Sequence, residues 1–279
     1  MSKTIIVPLD GSDFAEAALA PAGALARRTG ARVVVTTSKL GGVLVDAEQY
    51  LTAAASRAGI SNAEAVVISD RSVVRGLEEI VADVAEPVLC TSTHGRSGIA
   101  QALLGSTAEW MIRDLGVPML LVGPHVEPAA ATSFANVVVC TDGTPASRAI
   151  VPELSKWVGQ LRLRVWVLQV VDPDAHLELE AAGEPPAIEF GAVHTVAEML
   201  FSRDGAGVNW DVVHRRDVPD AIVDYARAIP ASFVAMATHG RTGFHRLALG
   251  SVAASVVHTA PCPVLVVRPD GLAHGEEQA

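Results

Sequence analysis

The sequence predicts an α/β protein made of two tandem copies of one domain, each a five-stranded parallel sheet flanked by helices. One segment occurs twice, as "THGRSGIAQALLGS" from Thr93 and as "THGRTGFHRLALGS" from Thr238. In both copies short, almost wholly apolar runs alternate with helical patterns, which is typical of a parallel sheet covered on both faces. The 279 residues are enough for two domains of ordinary size.

The predicted elements follow the same order in each copy. In the first copy the strands are "TIIVPL", "ARVVVTTS", "EAVVIS", "PVLCTST" and "PMLLVG", and the helices are "FAEAALAPAGALARRTG", "VLVDAEQYLTAAASRAG", "VVRGLEEIVADV" and "LLGSTAEWMIRDL". Gly30 is expected to close the first helix. The strands of the second copy are "NVVVCT", "RVWVLQVV", "WDVVHR", "FVAMAT" and "CPVLVVR". Ligands on such sheets bind beyond the carboxyl ends of the strands.

The copies align without gaps from Ala63 against Val208, at an offset of 208 − 63 = 145 residues. Upstream, "IIVPLDGSD" from Ile5 matches "VVVCTDGTP" from Val137 at an offset of 132. The second copy therefore carries a 13-residue insertion, for which the acidic, proline-bearing segment 173–190 is the predicted site. A Pro- and Ala-rich stretch predicts a linker at about 124–135. We place the domains at 1–128 and 129–279, with a disordered tail at about 271–279.

Composition argues against several classes of partner. The formal net charge of −10 disfavours a nucleic-acid partner, because phosphate neutralisation needs clustered basic residues. Cys90, Cys140 and Cys262 are far apart and odd in number, which indicates small core residues in a reducing compartment. The N-terminus lacks a signal-peptide core, and no apolar run approaches the ~20 residues that a bilayer needs. We expect a cytoplasmic protein without nucleic-acid or membrane partners.

An Asp-Gly pair follows the first strand of each copy, at Asp10 and Asp142. One interpretation is structural, since Asp before Gly favours a sharp turn and can cap the next helix. The other is functional, because an acidic acceptor at the binding edge of the sheet suits a ribose hydroxyl or a bound cation. The residues alone leave both interpretations open.

The loop after the fourth strand is the second candidate site. Gly95 and Gly240 allow a positive φ or a close approach of ligand to backbone. A Gly-Ser pair then opens the next helix at Gly105 and Gly250, where free amides form a ready anion site. A tight connection that merely needs glycine explains the same residues. We interpret His94 and His239 as loop-stabilising, whereas Arg96 and Arg241 suit either a solvated loop or a phosphate contact.

These motifs resemble those of a known family. Both copies resemble universal stress protein domains, and the whole chain resembles the tandem members common in actinobacteria. The resemblance rests on "IIVPLDGSDFAEAAL" and "VVVCTDGTPASRAI", on the two THGR segments, and on the closing strands "PMLLVGP" and "PCPVLVVRP". It implies two Rossmann-like domains of the adenine-nucleotide alpha-hydrolase type, each with a five-stranded parallel sheet.

The resemblance also implies an ATP site in each copy. ATP-binding members carry Gly-x2-Gly-x9-Gly-(Ser/Thr), and here Ser92 and Ala237 replace the first glycine, which predicts hindrance rather than abolition of binding. The implied nucleotide contacts are Pro8, Asp10, Ser38, Ser92, Gly95, Arg96, Gly105, Ser106 and Thr107 in the first copy, and Asp142, Val170, Met236, Ala237, Gly240, Arg241, Gly250, Ser251 and Val252 in the second. The chain alone offers no metal site, although Mg²⁺ could accompany ATP near Asp10 and Asp142.

The copies differ on the expected adenine side. Ser38 departs from the usual apolar residue, whereas the second copy keeps Val170 and Met236, so we expect tighter binding in the second copy. Cys140 replaces the family's proline, which the first copy keeps as Pro8.

The resemblance further implies how the copies associate. The closing strands Met119–Gly123 and Val264–Arg268 are expected to pair antiparallel within the chain, and the tandem protein is expected to form a homodimer.

Three functions follow from these features. The first is a nucleotide-binding protein of stress response and signalling that holds ATP without efficient turnover, since no nucleophile or dedicated base is evident. The second is a scaffold of the same fold without nucleotide, which the replaced first glycines favour. The third, an adenylating enzyme, needs a phosphate loop after the first strand that "LDGSD" and "TDGTP" do not supply.

Overall fold

The computed structural model describes residues 3–38, 46–69, 72–93, 106–174, 189–201, 207–238 and 249–269. Ten strands in these ranges form one sheet in the order β3-β2-β1-β4-β5-β10-β9-β6-β7-β8. The strands are β1 Thr4–Pro8, β2 Arg32–Ser38, β3 Ala63–Ile68, β4 Pro87–Ser92, β5 Met119–Val122, β6 Asn136–Cys140, β7 Arg164–Val171, β8 Val208–His214, β9 Phe233–Ala237 and β10 Val264–Val267.

The helices alternate with these strands. They are α1 Asp13–Glu16, α2 Leu19–Thr29, α3 Ala47–Arg57, α4 Val73–Asp83, α5 Ser106–Asp114, α6 Pro128–Ser133, α7 Ile150–Leu161, α8 Glu189–Leu200, α9 Val218–Ala228 and α10 Ser251–Thr259, with a 3-10 turn at Ala146–Ala149 before α7. No helix in the described ranges is both long and apolar enough to cross a bilayer. Gly30 ends α2 in a left-handed conformation with φ 70°, as predicted.

The two halves share one sheet through an antiparallel seam. Leu120 of β5 pairs with Leu265 of β10, which confirms the predicted pairing of the closing strands, while the strands inside each half are parallel. The halves are therefore related by an approximate twofold axis at the seam. Since β1 and β6 run in opposite directions, the carboxyl ends of the two half-sheets lie at opposite edges.

Each face of the sheet carries one continuous apolar core. The first core lies under α2, α3, α7 and α8, and its centre holds Phe134, Trp157 and Phe233, with ring centroids of Trp157 and Phe233 5.7 Å apart. The second core lies under α4, α5, α9 and α10. Because both cores run across the seam, the halves fold against each other rather than as separate bodies.

The first predicted helix of each copy is interrupted, contrary to expectation. In the first half α1 ends at Glu16 and α2 begins only at Leu19. A proline ring clashes with the carbonyl four residues earlier, so Pro21 prevents one continuous helix through residue 17. In the second half the 3-10 turn at Ala146–Ala149 precedes α7, and Pro152 lies in the first turn of that helix.

The predicted linker contains a helix. Pro128 stands in the first turn of α6, where its missing N–H costs nothing, and the buried Phe134 ends the helix with φ 44°. The pattern is not amphipathic over so short a span, which explains why the sequence did not indicate it. The domain limits stay a prediction, and most of the proposed insertion and the tail lie outside the described residues.

The three thiols are buried, as the sequence suggested. Burial raises the pKa of Cys140 and of Cys262 to about 12, and it also raises the pKa of Cys90. A free thiol titrates near ~8.5, so we expect no thiol to react with Ellman's reagent at pH 8 in the native protein and all three to react in guanidinium. Rapid native labelling of any one thiol would contradict this placement.

Candidate functional site

The Asp-Gly turns after β1 and β6 have the same geometry. Asp10 Oδ1 accepts hydrogen bonds from the backbone N–H of Ser12 at 3.0 Å and from its hydroxyl at 2.6 Å. Asp142 Oδ1 accepts the same two bonds from Thr144, again at 3.0 and 2.6 Å. Gly11 and Gly143 have φ of 85° and 83°, a left-handed conformation that favours glycine.

The aspartates are not the helix caps that one interpretation expected. The Ser12 hydroxyl accepts from the N–H of Ala15 at 3.2 Å, and the Thr144 hydroxyl accepts from the N–H of Ser147 at 3.3 Å. The side-chain cap of α1 is therefore Ser12. In both turns the aspartate holds the hydroxyl two residues later in place. Each carboxylate is thus oriented at the carboxyl edge of its half-sheet.

The second turn rests on a polar layer that the first lacks. Thr141 and Ser147 are buried, their hydroxyl oxygens are 2.9 Å apart, and the Thr141 hydroxyl accepts from the N–H of Gly143 at 3.2 Å. The matching residues of the first half are the apolar Leu9 and Ala15. The two edges are therefore similar in backbone and different in polarity.

Several predicted contacts lie at strand ends on these edges. The structure places Pro8, Ser38 and Ser92 at the last positions of β1, β2 and β4, and it places Val170, Met236 and Ala237 near the ends of β7 and β9. Val170 and Met236 pack with the core under α9 and α10, so the second half presents apolar side chains at this edge. Ser38 is half-buried in the first half.

The start of α10 is tied to the end of β9. The N–H of Gly250 donates to the carbonyl of Thr238 at 2.7 Å, and the helix begins at Ser251 with Val252 in its first turn. No side chain in the described ranges caps this helix. Its first-turn amides therefore point toward the same edge as Asp142 without a side-chain acceptor.

The first half has a matching helix at Ser106, followed by the exposed Thr107. Among the remaining predicted contacts, Gly95, Arg96, Gly105, Gly240 and Arg241 lie outside the described residues, as do His94 and His239. Among the residues that the structure describes, no group of three or more His, Cys, Asp or Glu side chains could hold a metal ion.

The sequence analysis missed two polar side chains in the second half, near the carboxyl ends of its strands. Gln169 of β7 is 3% exposed, and its Oε1 has no hydrogen-bond partner. Arg148 of the 3-10 turn is half-buried, and its Nε has no partner either. The polar residue inside the apolar run "VWVLQVV" was the available signal for Gln169. For Arg148 the signal was its alignment with an acidic residue, Glu16.

In the first half the matching residue belongs to an ion-paired cluster. The Glu16 carboxylate accepts two bonds from Arg57 of α3, at 2.9 and 2.8 Å. Burial, followed by the neighbouring Glu16 carboxylate, raises the pKa of Tyr50 on the same helix. In the first half this position is thus part of a satisfied ion pair, whose Arg57 side chain is exposed.

The fold and the two edges define a tandem, doubly wound α/β protein with one candidate ligand site per half. The model of the universal stress protein family matches residues 1–123 and 133–268, so the chain belongs to that family and contains two tandem domains of it.

Relatives and solved structures agree with this assignment. Universal stress protein Rv2005c of Mycobacterium tuberculosis is 29% identical over 197 residues, which are 67% of this chain and 63% of that relative. The chain thus spans less than two thirds of the length of this curated relative. A universal stress protein structure from Archaeoglobus fulgidus has a TM-score of 0.66 at 17% identity and covers 95% of this chain and 98% of its own, which shows a shared fold.

Proposed function

We propose that each half binds an adenine nucleotide, with ATP as the ligand, and that nucleotide occupancy serves stress signalling rather than efficient catalysis. The observation that carries this proposal is the start of α10, tied by Gly250 to the end of β9 at 2.7 Å and lacking a side-chain cap. Helix N-termini of this kind bind phosphate through free amides and the helix dipole.

The Asp-Gly turns supply the second part of the proposed site. A carboxylate held by two hydrogen bonds on one oxygen suits a ribose hydroxyl or the Mg²⁺ that accompanies ATP. Magnesium usually keeps several waters and binds through one or two carboxylates plus substrate phosphates. Asp10 or Asp142 would therefore assist an incoming Mg-ATP instead of forming a metal centre alone.

We expect at most slow, incidental hydrolysis. The proposed contacts position phosphates, but fast hydrolysis also needs a group that orients or deprotonates the attacking water. The sequence offers no evident nucleophile with a paired base. This expectation is tested by measuring phosphate release at saturating Mg-ATP.

The binding test blocks each of the two sites in turn by a substitution in the full chain and compares the loss of nucleotide binding. Purified protein is denatured and its nucleotide content measured, and Mg-ATP is then titrated calorimetrically into Gly105→Glu and Gly250→Glu variants. Because Val170 and Met236 keep the second edge apolar, we expect Gly250→Glu to remove the tighter binding event. Equal losses would contradict the ranking, and an empty protein that binds nothing at millimolar ATP would overturn the proposal.

A scaffold function without nucleotide is the second candidate. It is favoured by side chains at Ser92 and Ala237, where nucleotide-binding members have glycine. A doubly substituted protein, Gly105→Glu with Gly250→Glu, distinguishes the two functions. If Mg-ATP shifts the melting temperature of neither the parent nor this variant, the scaffold function is supported.

Homodimerisation and a cytoplasmic location stay predictions. The closing strands already pair with each other inside the chain, so a homodimer would need a different surface. Light scattering on the purified chain tests the oligomeric state directly.

A further inference from the structure

Thr36 lies in β2, two residues before that strand ends at the carboxyl edge of the first half-sheet, and is 1% exposed. Its Oγ1 is fully buried and has no hydrogen-bond partner. Pro8 of β1 and Val66 of β3 lie beside it in the register of the sheet, and neither side chain can satisfy a hydroxyl. Buried hydroxyls are rarely left in this state, because burial removes water without a replacement.

The Thr36 side chain points to the face of the sheet that carries α5. Successive side chains of a strand point to opposite faces. Val34 belongs to the core under α4 and α5, whereas Val35 belongs to the other core. Thr36 therefore shares the face of Val34, and under the proposed function the start of α5 holds the phosphates on this same face.

The end of β2 is where the base of such a nucleotide would lie. β2 and β4 are the two neighbours of β1 in the sheet. A nucleotide with its phosphates at the start of α5, which follows β4, and its ribose at Asp10 after β1 would extend its base toward β2. Two strand spacings make this span ~10 Å. Ser38 ends β2 on the same face as Thr36 and is only half-buried, which leaves this strand end open to the edge.

The repeat has an apolar side chain in place of this hydroxyl in the second half. Thr36 aligns with Leu168, and the two occupy the same position in the β1–β2 and β6–β7 registers. The difference extends over this face of the two edges, where hydroxyl residues of the first half match apolar residues of the second: Thr36, Ser38 and Thr91 against Leu168, Val170 and Met236. The common fold therefore does not require hydroxyls here, and the two edges differ in the ligand groups that they can bind.

We propose that the Thr36 hydroxyl recognises an amino group on the base of the nucleotide bound by the first half, whereas the second half holds its base by apolar packing. This inference rests on the proposed nucleotide function and extends it to base recognition. A hydroxyl oxygen with free lone pairs accepts a hydrogen bond from an amino group. A site that hydrogen-bonds its ligand rejects an analogue lacking that group more strongly than an apolar site does. The halves should therefore differ in selectivity as well as in affinity.

The test compares ATP with purine riboside triphosphate, which keeps the ring system and lacks the amino group. Both ligands are titrated calorimetrically into the full chain with Gly250→Glu, so that only the first half remains open, and into Gly105→Glu, which leaves only the second. We expect the first half to prefer ATP about 10-fold, because the buried hydroxyl gives up no water when it gains a hydrogen bond. The second half should distinguish the two ligands less than about threefold.

The variants separate base recognition from a merely structural role. Thr36→Val in the Gly250→Glu chain should abolish the preference for ATP, since valine has a similar shape and no hydroxyl, and Thr36→Ser should retain most of it. Thr37→Val is the matched control, because Thr37 is the next residue of the same strand, is also buried and points to the opposite face. It should leave the preference unchanged. Thr36→Val should also raise the melting temperature of the ligand-free protein, because a buried unpartnered hydroxyl is removed.

Each outcome decides the inference. If the first half binds ATP and Thr36→Val leaves the preference within twofold of its parent, base recognition by Thr36 is overturned while the nucleotide function stands. An equal preference in both halves also overturns it, as does a lower ligand-free melting temperature of Thr36→Val, which would show that the hydroxyl already has a partner. If the first half binds neither ligand, the nucleotide function of this half and the inference fail together. Circular dichroism establishes that each variant is folded, and the comparison of the two halves carries the test if Thr36→Val is not.

Discussion

Replacing Glu153 by Gln should destabilise the folded protein by about 3–5 kcal/mol, because the Lys3 ammonium would remain buried without a counter-charge. Lys3 precedes β1 in the first half and Glu153 lies on α7 in the second, and their Nζ and Oε1 atoms are 2.6 Å apart. Both side chains are almost inaccessible to solvent. The pair is therefore a buried link between the two halves.

The surroundings of Glu153 are built for an ionised carboxylate. Trp157 Nε1 donates to Oε1 at 2.6 Å and Lys156 Nζ donates to Oε2 at 3.0 Å. The Lys3 ammonium also lies 4.8 Å from the centroid of the Trp157 ring. Removing the negative charge would therefore affect three donors at once, which places this substitution among the largest expected effects.

The same contacts set the direction of the pH dependence. Burial alone would raise the pKa of Glu153, but the hydrogen bond and charge of Lys3, followed by Trp157 and Lys156, lower it below the ordinary value. A depressed carboxyl pKa contributes stability above the unfolded value, near ~4.3, and that contribution is lost as pH falls through the folded-state pKa. Stability should thus fall below about pH 4 in the parent, and less so in Glu153→Gln.

Urea unfolding at pH 7 measures both effects. The matched control is Lys3→Met with Glu153→Gln, because this double variant removes both charges and keeps an oxygen for Trp157. We expect the double variant to recover most of the stability that Glu153→Gln loses, since a buried pair contributes little net free energy. A single variant within 1 kcal/mol of the parent would show that Lys3 escapes to solvent.

The sequence analysis predicted the sheet well because its evidence was periodic. Apolar runs that alternate with helical patterns in both copies predicted five parallel strands per half. The β5–β10 pairing was predicted by the resemblance to the family, and the structure confirms it. Pro21 was visible in the sequence, but the alanine-rich helical pattern on both sides of it still predicted one continuous helix.

Contacts between distant residues were the part that the sequence could not supply. Lys3 and Glu153 are 150 positions apart and have no counterpart in the repeat, because Ala135 and Pro21 occupy the matching positions. Arg148 and Gln169 are unremarkable as residue types, and what distinguishes them is one buried atom each, Arg148 Nε and Gln169 Oε1, that has no hydrogen-bond partner. Whether a polar atom is buried without a partner depends on the residues that surround it in the fold, and a pattern of residue types does not contain this information.

Gly123→Ala should destabilise the protein by about 3 kcal/mol, with the cost arising at the seam. Gly123 follows β5, and a Cβ at this position would overlap the carbonyl oxygen of Val257 on α10 and lie 3.2 Å from its carbon. These atoms are helix backbone, so the overlap cannot be relieved by a side-chain rotation. Either α10 or the end of β5 must move, which would disturb the antiparallel pairing of the halves.

Gly159→Ala is the matched control, because it is the same change inside α7 with no atom within 4 Å of the new Cβ. It should stabilise the protein by about 0.5–1 kcal/mol, since Ala loses less backbone entropy than Gly in a helix. In urea unfolding we therefore expect a lower free energy of unfolding for Gly123→Ala than for the parent, and a higher one for Gly159→Ala. If Gly123→Ala is as stable as the parent, α10 does not press on the end of β5, and the seam is looser than its strand pairing indicates.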